Sequence, residues 1–231
     1  MNIVLASIFR NGGDYVNRWA NQVRNLAGAL PDGHELGVLI AEGDSTDNTW
    51  VQLKGFVRMF GGRLVKLEHG GLEWGSVDDV CRWRQVTNVW NALYGHLDDI
   101  EGDALIHVEA DLIWKPETMR RLLRQLERVP AVSPMVWHRR PGRFYDTYGF
   151  RKDGVRFIGQ SPYHPALEKW RSEVNRQTGL VKIDTAGSCL VMRMEVARKV
   201  WFDSDTWHPG PSIYEQGASL WLDTQVAVTH P

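Results

Sequence analysis

Residues 2–9, NIVLASIF, form an apolar run that stops at the glycine loop Arg10-Asn-Gly-Gly-Asp14. Beyond the loop, Val16, Trp19, Ala20, Val23, Leu26 and Ala27 recur at three- and four-residue spacing. The run reads as a strand and the repeat as a helix with one buried face, N-capped near Asp14 and ended by Pro31-Asp-Gly33. Leu36 to Ala41 is a second strand. A β-loop-α-β opening constrains the fold more than any other stretch, because its crossover is right-handed and lays the strands parallel. The expected architecture is a single α/β domain, with a mixed, mostly parallel sheet flanked by helices.

The second strand runs into E-G-D-S-T-D-N-T over residues 42–49. Trp50, Val51, Leu53, Phe56, Val57 and Phe60 then mark a helix that Ser45, Thr46 or Asp47 is suited to cap. Open α/β sheets bind ligands beyond the carboxyl ends of their strands, so Glu42 and Asp44 are candidate nucleotide contacts. A short strand, Leu64 to Leu67, and a glycine-rich loop follow. Residues 77–97 carry Val80, Trp83, Val86, Val89, Trp90, Leu93 and Tyr94 on one helical face, with Arg82, Arg84, Gln85 and Asn88 as polar interruptions.

Residues 104–111, ALIHVEAD, read as a buried strand ending in two acids. On extended chain Glu109 and Asp111 point to one side, where carboxylates so close favour a hard cation such as Mn²⁺ or Mg²⁺. A helix from Pro116 to Arg128 and a strand from Val132 to Val136 come next. Residues 137–151 interleave Arg139, Arg140, Arg143 and Arg151 with aromatics that include Tyr145, the pattern a phosphate- or base-binding surface needs. A short helix is expected near Ala166 to Arg176. The stretch from Val181 to Met192 is strand, interrupted by a small-residue turn at Ala186-Gly-Ser188 where a ligand could approach the backbone. Glu195 to Val200 reads as helix. The tail from Ser219 to His230 alternates as a strand.

The 231 residues allow one sizeable core. With 27 basic and 28 acidic residues the net charge of −1 gives no global case for nucleic acid, although a local patch remains open. Cys81 and Cys189 are too few and too distant for a disulfide framework or a zinc set. The amino terminus has no basic leader and is too short to span a bilayer, so no membrane segment and a cytoplasmic location are expected. Eleven tryptophans suit a core and also a pocket that stacks sugars or bases.

In order along the chain, the 42–49 loop, the helix bearing Arg84 and Asn88, the Glu109-Ala-Asp111 motif and the late His230 resemble the GT-A glycosyltransferases. The loop is similar to their E/D-x-x-S-T-D-x-T nucleotide motif, and E-A-D to their D-x-D metal motif. Arg10-Asn11, residues 144–151 with Gly154, and D-T-A-G-S over 184–188 further resemble the fungal-type α-mannosyltransferases of Golgi and capsule and their bacterial and phage relatives. Membership implies transfer of a hexose from a UDP- or GDP-sugar to a hydroxyl acceptor, with retention of configuration. It implies Asp111, Glu109 and His230 at the metal. Arg10, Glu42, Asp44, Arg84, Asn88, Glu109, Ala186 and Gly187 would bind the donor. Asp184, Asp205 and Glu215 are the catalytic candidates, Asp203 and His208 standing beside them if the enzyme inverts. Arg139, Arg140, Arg143, Tyr145 and Arg151 would meet the acceptor. Residues 1–115 would form the nucleotide-sugar-binding half and 130–231 the acceptor- and sugar-binding half. Alternatives are the same chemistry on a hydroxymethylated nucleobase of phage-type DNA, a non-catalytic nucleotide-sugar-binding protein, and a nucleotidyltransferase.

Overall fold

The computed structural model describes the chain apart from residues 69, 71–79, 140–142, 146–148, 157–168 and 204–209, and apart from the side chains of Val80, Trp83, Arg156 and Pro211. The first half alternates strand and helix: β1 (Asn2–Phe9), α1 (Gly13–Ala29), β2 (Glu35–Gly43), α2 (Thr49–Phe60), β3 (Arg63–Leu67), α3 (Val80–Tyr94), β4 (Ala104–Val108) and α4 (Pro116–Gln125). The second half is strand-rich: β5 (Ala131–His138), β6 (Arg151–Lys152), β7 (Val155–Arg156), β8 (Leu180–Ile183), β9 (Cys189–Arg193), α5 (Met194–Ala197), α6 (Gly210–Glu215) and β10 (Leu220–His230).

Eight strands make one sheet in the order β3-β2-β1-β4-β9-β5-β10-β8, and β6 and β7 pair separately. β3, β2, β1 and β4 are parallel, as are β5 and β10. β9 runs antiparallel between β4 and β5, and β8 antiparallel to β10. This is the mixed, mostly parallel, helix-flanked sheet expected. The chain leaves β1 toward β2 on one side and returns to β4 on the other, so a crevice opens beyond their carboxyl ends. β9 begins where β4 ends, Cys189 opposite Val108, and β10 ends beside β5, His230 opposite His138. The loops after β1, β2, β4 and β5, the end of β10 and the turn before β9 therefore share one edge of the sheet.

Period-two alternation divides the core between the two faces. Ile3, Leu5 and Phe9 of β1 meet α1, α2 and α4 through Trp19, Phe56 and Leu122. Val4 and Ala6 lie on the opposite face, in one cluster with Leu93 of α3, Val196 of α5 and Ile213 of α6. Each buried Val, Leu, Ile or Phe among them stabilises the fold by about 1.5–3 kcal/mol relative to exposure.

Four local expectations are corrected. Residue Gly12 precedes α1 as its N-cap and Asp14 lies in the first turn, because Asp47 from the neighbouring loop already accepts the Gly13 N–H. Val51 is 70% exposed, outside the buried face of α2 set by Leu53 and Phe56. Of the helix expected near Ala166 to Arg176, residues 166–168 lie outside the described residues, and 169–176 hold a 3₁₀ turn at Arg171–Glu173. Glu109 and Asp111 are not on the strand: β4 ends at Val108 and the chain turns, Leu112 N–H donating to Glu109 O at 3.3 Å. Among the described residues no helix is long and apolar enough to cross a membrane.

Candidate functional site

The crevice is built first from two loops stitched together. Asn11, at φ 46°, lets the chain turn sharply after β1. Its N–H donates to Ser45 Oγ at 2.9 Å and its Oδ1 accepts the Thr46 N–H at 2.8 Å. Gly12 N–H donates to Thr49 Oγ1, and Asp47 accepts from Gly13 and Thr49. Burial opposes these bonds, but together they hold the Asp47 carboxyl below its usual pKa. A Cβ on residue 13 would stand 2.3 Å from Asn48 Oδ1, so any larger residue there would push the Asn48 side chain aside. Glu42 is 1% exposed and its Oε1 accepts the Ser45 N–H at 2.7 Å, which turns it into its own loop. Asp44 is half-buried at φ 50°. Arg10 Nε is buried without a hydrogen-bond partner.

The acid-bearing turn is fixed from below. Trp19 Nε1 donates to Ser7 Oγ, which donates to the last carbonyl of β4, Val108 O, at 2.7 Å. The preceding His107 is structural. It stacks on Trp90 at 3.7 Å and meets Tyr94 Oη at 3.0 Å, and burial lowers its pKa to about 3. Glu109 N–H then donates to Ser188 O, tying the turn to the start of β9.

Asp111 and His230 come together: Nε2 of the imidazole lies 2.8 Å from Asp111 Oδ2. β10 holds His230 in place through backbone bonds between Thr229 and Ile113 on one side and from Arg139 N–H to His230 O on the other. The Tyr145 ring stacks on the imidazole, centroids 4.0 Å apart and planes within 9°. Burial lowers the His230 pKa. The Asp111 hydrogen bond and the charges of Asp111 and Glu109 outweigh it and hold the pKa above the ordinary value. Glu109, felt electrostatically here and at Cys189, is not gathered into a three-ligand cage; among the described residues no group of three His, Cys, Asp or Glu is. Asp111 Oδ1 is buried with no hydrogen-bond partner, an unmet acceptor that suits a cation. Carboxylate oxygen with imidazole nitrogen is a donor set that Mn²⁺ accepts, with remaining positions left for phosphate and water. The Asp111–His230 pair therefore fits a divalent ion.

The other expected residues are dispersed. Arg84 and Asn88 are exposed on α3, and neither bonds to the Asp111–His230 pair. Asp184 Oδ2 accepts the Gly154 N–H at 2.7 Å, while Arg151 and Thr185 share backbone bonds and Arg151 Nε is buried without a partner. Gly210 lets α6 press on this turn, since a Cβ there would lie 2.6 Å from Asp184 O. Ala186 is buried and Gly187 half-buried. Arg139 and Arg143 are exposed, as is Glu215 at the end of α6. Tyr145, expected at the acceptor, stacks on His230. Asp205, His208 and Arg140 lie outside the described residues. Sequence reading missed Arg18 and Gln22 of α1, which reach the acidic turn. Arg18 Nη2 donates to Asp111 O at 2.6 Å, and Gln22 bonds Leu112 and Trp114. The signal was two long polar side chains four residues apart beside the apolar face of α1.

No protein-family model matches the chain, and no curated protein matches it. Solved structures do. A mannosyltransferase of Pyrobaculum calidifontis in complex with GDP-Man and Mn²⁺ superposes with TM-score 0.60 at 13% identity, covering 98% of this chain and 56% of that one. GalNAc-T7 with UDP, GalNAc and Mn²⁺ gives 0.58 at 14% identity, covering 100% and 44%. Glucosyl-3-phosphoglycerate synthase from Mycobacterium tuberculosis with Mg²⁺ and UDP gives 0.54 at 15%, covering 100% and 71%. The chain thus has the GT-A glycosyltransferase fold, and it spans little more than half the length of the mannosyltransferase. Likeness at this identity does not single out the fungal-type α-mannosyltransferase families.

Proposed function

We propose that the chain is a metal-dependent glycosyltransferase that moves a hexose from a UDP- or GDP-sugar to a hydroxyl acceptor, with retention. The observation that carries this reading is the Asp111 carboxylate meeting the His230 imidazole beyond β4, one buried oxygen unpartnered. Solved structures of the same fold hold nucleotides or nucleotide-sugars with Mn²⁺ or Mg²⁺. The nucleobase-acceptor, nucleotidyltransferase and non-catalytic readings gain no support from the fold or these likenesses.

Asp111 and His230 would hold the ion, with Glu109 adding charge beside them. Bound there, a divalent ion supplies the positive charge that offsets the charge developing on the departing diphosphate. Arg10, with a buried donor lacking a partner, faces the same loop system and would bind phosphate. Asp44 and the stitched loops would hold the base or ribose, with Arg84 and Asn88 reaching in from α3. The Asp184 to Gly187 turn would line the sugar pocket, with Asp184, Asp205 and Glu215 as catalytic candidates. Arg139, Arg140, Arg143, Tyr145 and Arg151 would face the acceptor. Residues 1–115 would thus bind the nucleotide-sugar, and 130–231 would bind the acceptor and the transferred sugar.

The test is a donor screen. The protein is incubated with Mn²⁺ or Mg²⁺ and a panel of UDP- and GDP-sugars, and release of nucleoside diphosphate is followed. Metal-dependent hydrolysis of one donor is expected, reduced at least 100-fold in Asp111→Asn, since one preorganised electrostatic contact is worth about that much. Full metal-dependent activity in Asp111→Asn would overturn the assignment.

A further inference from the structure

The Asp111–His230 pair is long-range, and something must hold its two backbones in register. Gln22 is 8% exposed and uses both ends of its amide on one short segment. Its Nε2 donates to Leu112 O at 3.1 Å, and its Oε1 accepts the Trp114 N–H at 3.1 Å. The residue between, Ile113, turns its own backbone groups the opposite way. Its N–H donates to Thr229 O at 2.8 Å and its carbonyl accepts the Thr229 N–H at 2.9 Å. Residues 112–114 are therefore a miniature strand with β10 on one edge and a side-chain amide on the other, the alternation that an extended chain imposes on its hydrogen-bonding groups. Asp111 immediately precedes this segment, and His230 immediately follows Thr229.

One turn earlier on α1, Arg18 donates to the carbonyl of Asp111 itself at 2.6 Å. Its guanidinium lies over the Tyr15 ring at 5.2 Å, which aims the fork at that carbonyl. Both contacts act on backbone, so they set where the Asp111 carboxylate stands without using either of its oxygens. The helix is itself anchored at the crevice, because its first residue, Gly13, is bonded to Asp47.

We propose that Gln22 and Arg18 are positioning residues that fix the separation of Asp111 and His230 for a divalent ion. This rests on the metal reading above and adds to it a supporting layer from α1. Partners of metal-binding groups commonly matter for affinity nearly as much as the groups themselves.

The experiment titrates Mn²⁺ alone into the full-length protein, read by the electron paramagnetic resonance signal of free ion, with thermal unfolding recorded in parallel. Gln22→Leu removes both amide bonds at similar volume, and Arg18→Met removes the donor to Asp111. Each is expected to weaken Mn²⁺ binding about 10-fold or more, the range for such supporting partners. Arg18→Lys is expected to recover part of that loss, since an ammonium can donate to the same carbonyl. If Gln22→Leu does not fold, the two Arg18 variants carry the test. Mn²⁺ affinities within twofold of wild type, with only the melting temperature lowered, would show a purely structural role and overturn the proposal. Asp111→Asn separates the two levels. If it binds Mn²⁺ as wild type does, or wild type binds none, the metal reading falls and the positioning role with it. If it alone loses binding, only the positioning role falls.

Discussion

The stitched loops after β1 and β2 are joined by bonds spanning 34 to 37 positions, most of them exposed, through side chains that are all small and polar. Asp111 and His230 come from the middle and the end of the chain, and the contacts that position them are longer in range: 93 positions from Arg18 to Asp111, and a backbone bridge between Ile113 and Thr229. The first corner closes on itself through its own motif. The second exists only when β10 has found its register beside β5. Both corners lie on one edge of one sheet, yet one is local chemistry and the other a product of the whole fold.

That difference predicts unequal costs. The largest is expected at Asp223, far from the crevice but on the strand that carries His230. Asp223 is fully buried at a break in register between Asp223 and Ala227. It accepts Arg121 Nε at 2.6 Å, Gln125 Nε2 at 2.8 Å and Gln225 N–H at 2.9 Å. Asp223→Ala leaves these donors without their acceptor and should cost about 3 kcal/mol, read as a shift in the urea midpoint. It should also weaken Mn²⁺ binding, because β10 sets His230. A midpoint unchanged within 0.5 kcal/mol, about the spread of an ordinary surface substitution, would mean that the register of β10 does not depend on this cluster.

Asp47→Ala probes the local corner. Asp47 is exposed and accepts from Gly13 and from Thr49 at the start of α2, so it acts as a capping residue. A loss of about 1 kcal/mol is expected from caps of this kind, with little change in Mn²⁺ affinity. A cost equal to that of Asp223→Ala would break the contrast between the corners.

The same contrast explains what the sequence made legible. Apolar runs ending in glycine and acid gave β1, β2 and β4, and period-3.6 faces gave α1 to α4, because those signals are local. The 42–49 motif could be read because its partners, Asn11 to Gly13, follow the first strand of the same β-loop-α-β unit. Glu109 and Asp111 were recognised as a pair but placed on a strand, since the bond from Glu109 N–H to Ser188 O that ends β4 comes from a distant turn. The stacking of Tyr145 on His230 is not legible in the sequence, because it depends on the end of β10 meeting the loop after β5. Gln22 looked like an ordinary helix residue for the same reason: both of its partners lie about 90 positions away, which no helical periodicity reports.

The smallest effect is expected at Asn11, and it asks what holds the local corner in shape. Asn11 sits at φ 46°, a region costing about 1–3 kcal/mol for most residues and less for asparagine. Its Oδ1 accepts the Thr46 N–H at 2.8 Å and lies 3.3 Å from Thr46 Oγ1. Asn11→Ala removes these bonds and puts a less tolerant residue at positive φ, so a loss of about 1 kcal/mol follows. Asn11→Gly removes the same bonds but relieves the backbone, and the two terms nearly cancel, leaving stability within about 0.5 kcal/mol of wild type. Thermal unfolding of the pair separates bond from backbone, because the bond is lost in both and only the backbone term differs. Equal losses in the two variants would mean that the side-chain bond alone shapes the loop. The corner would then be as dependent on a specific partner as the Asp111–His230 corner is on β10.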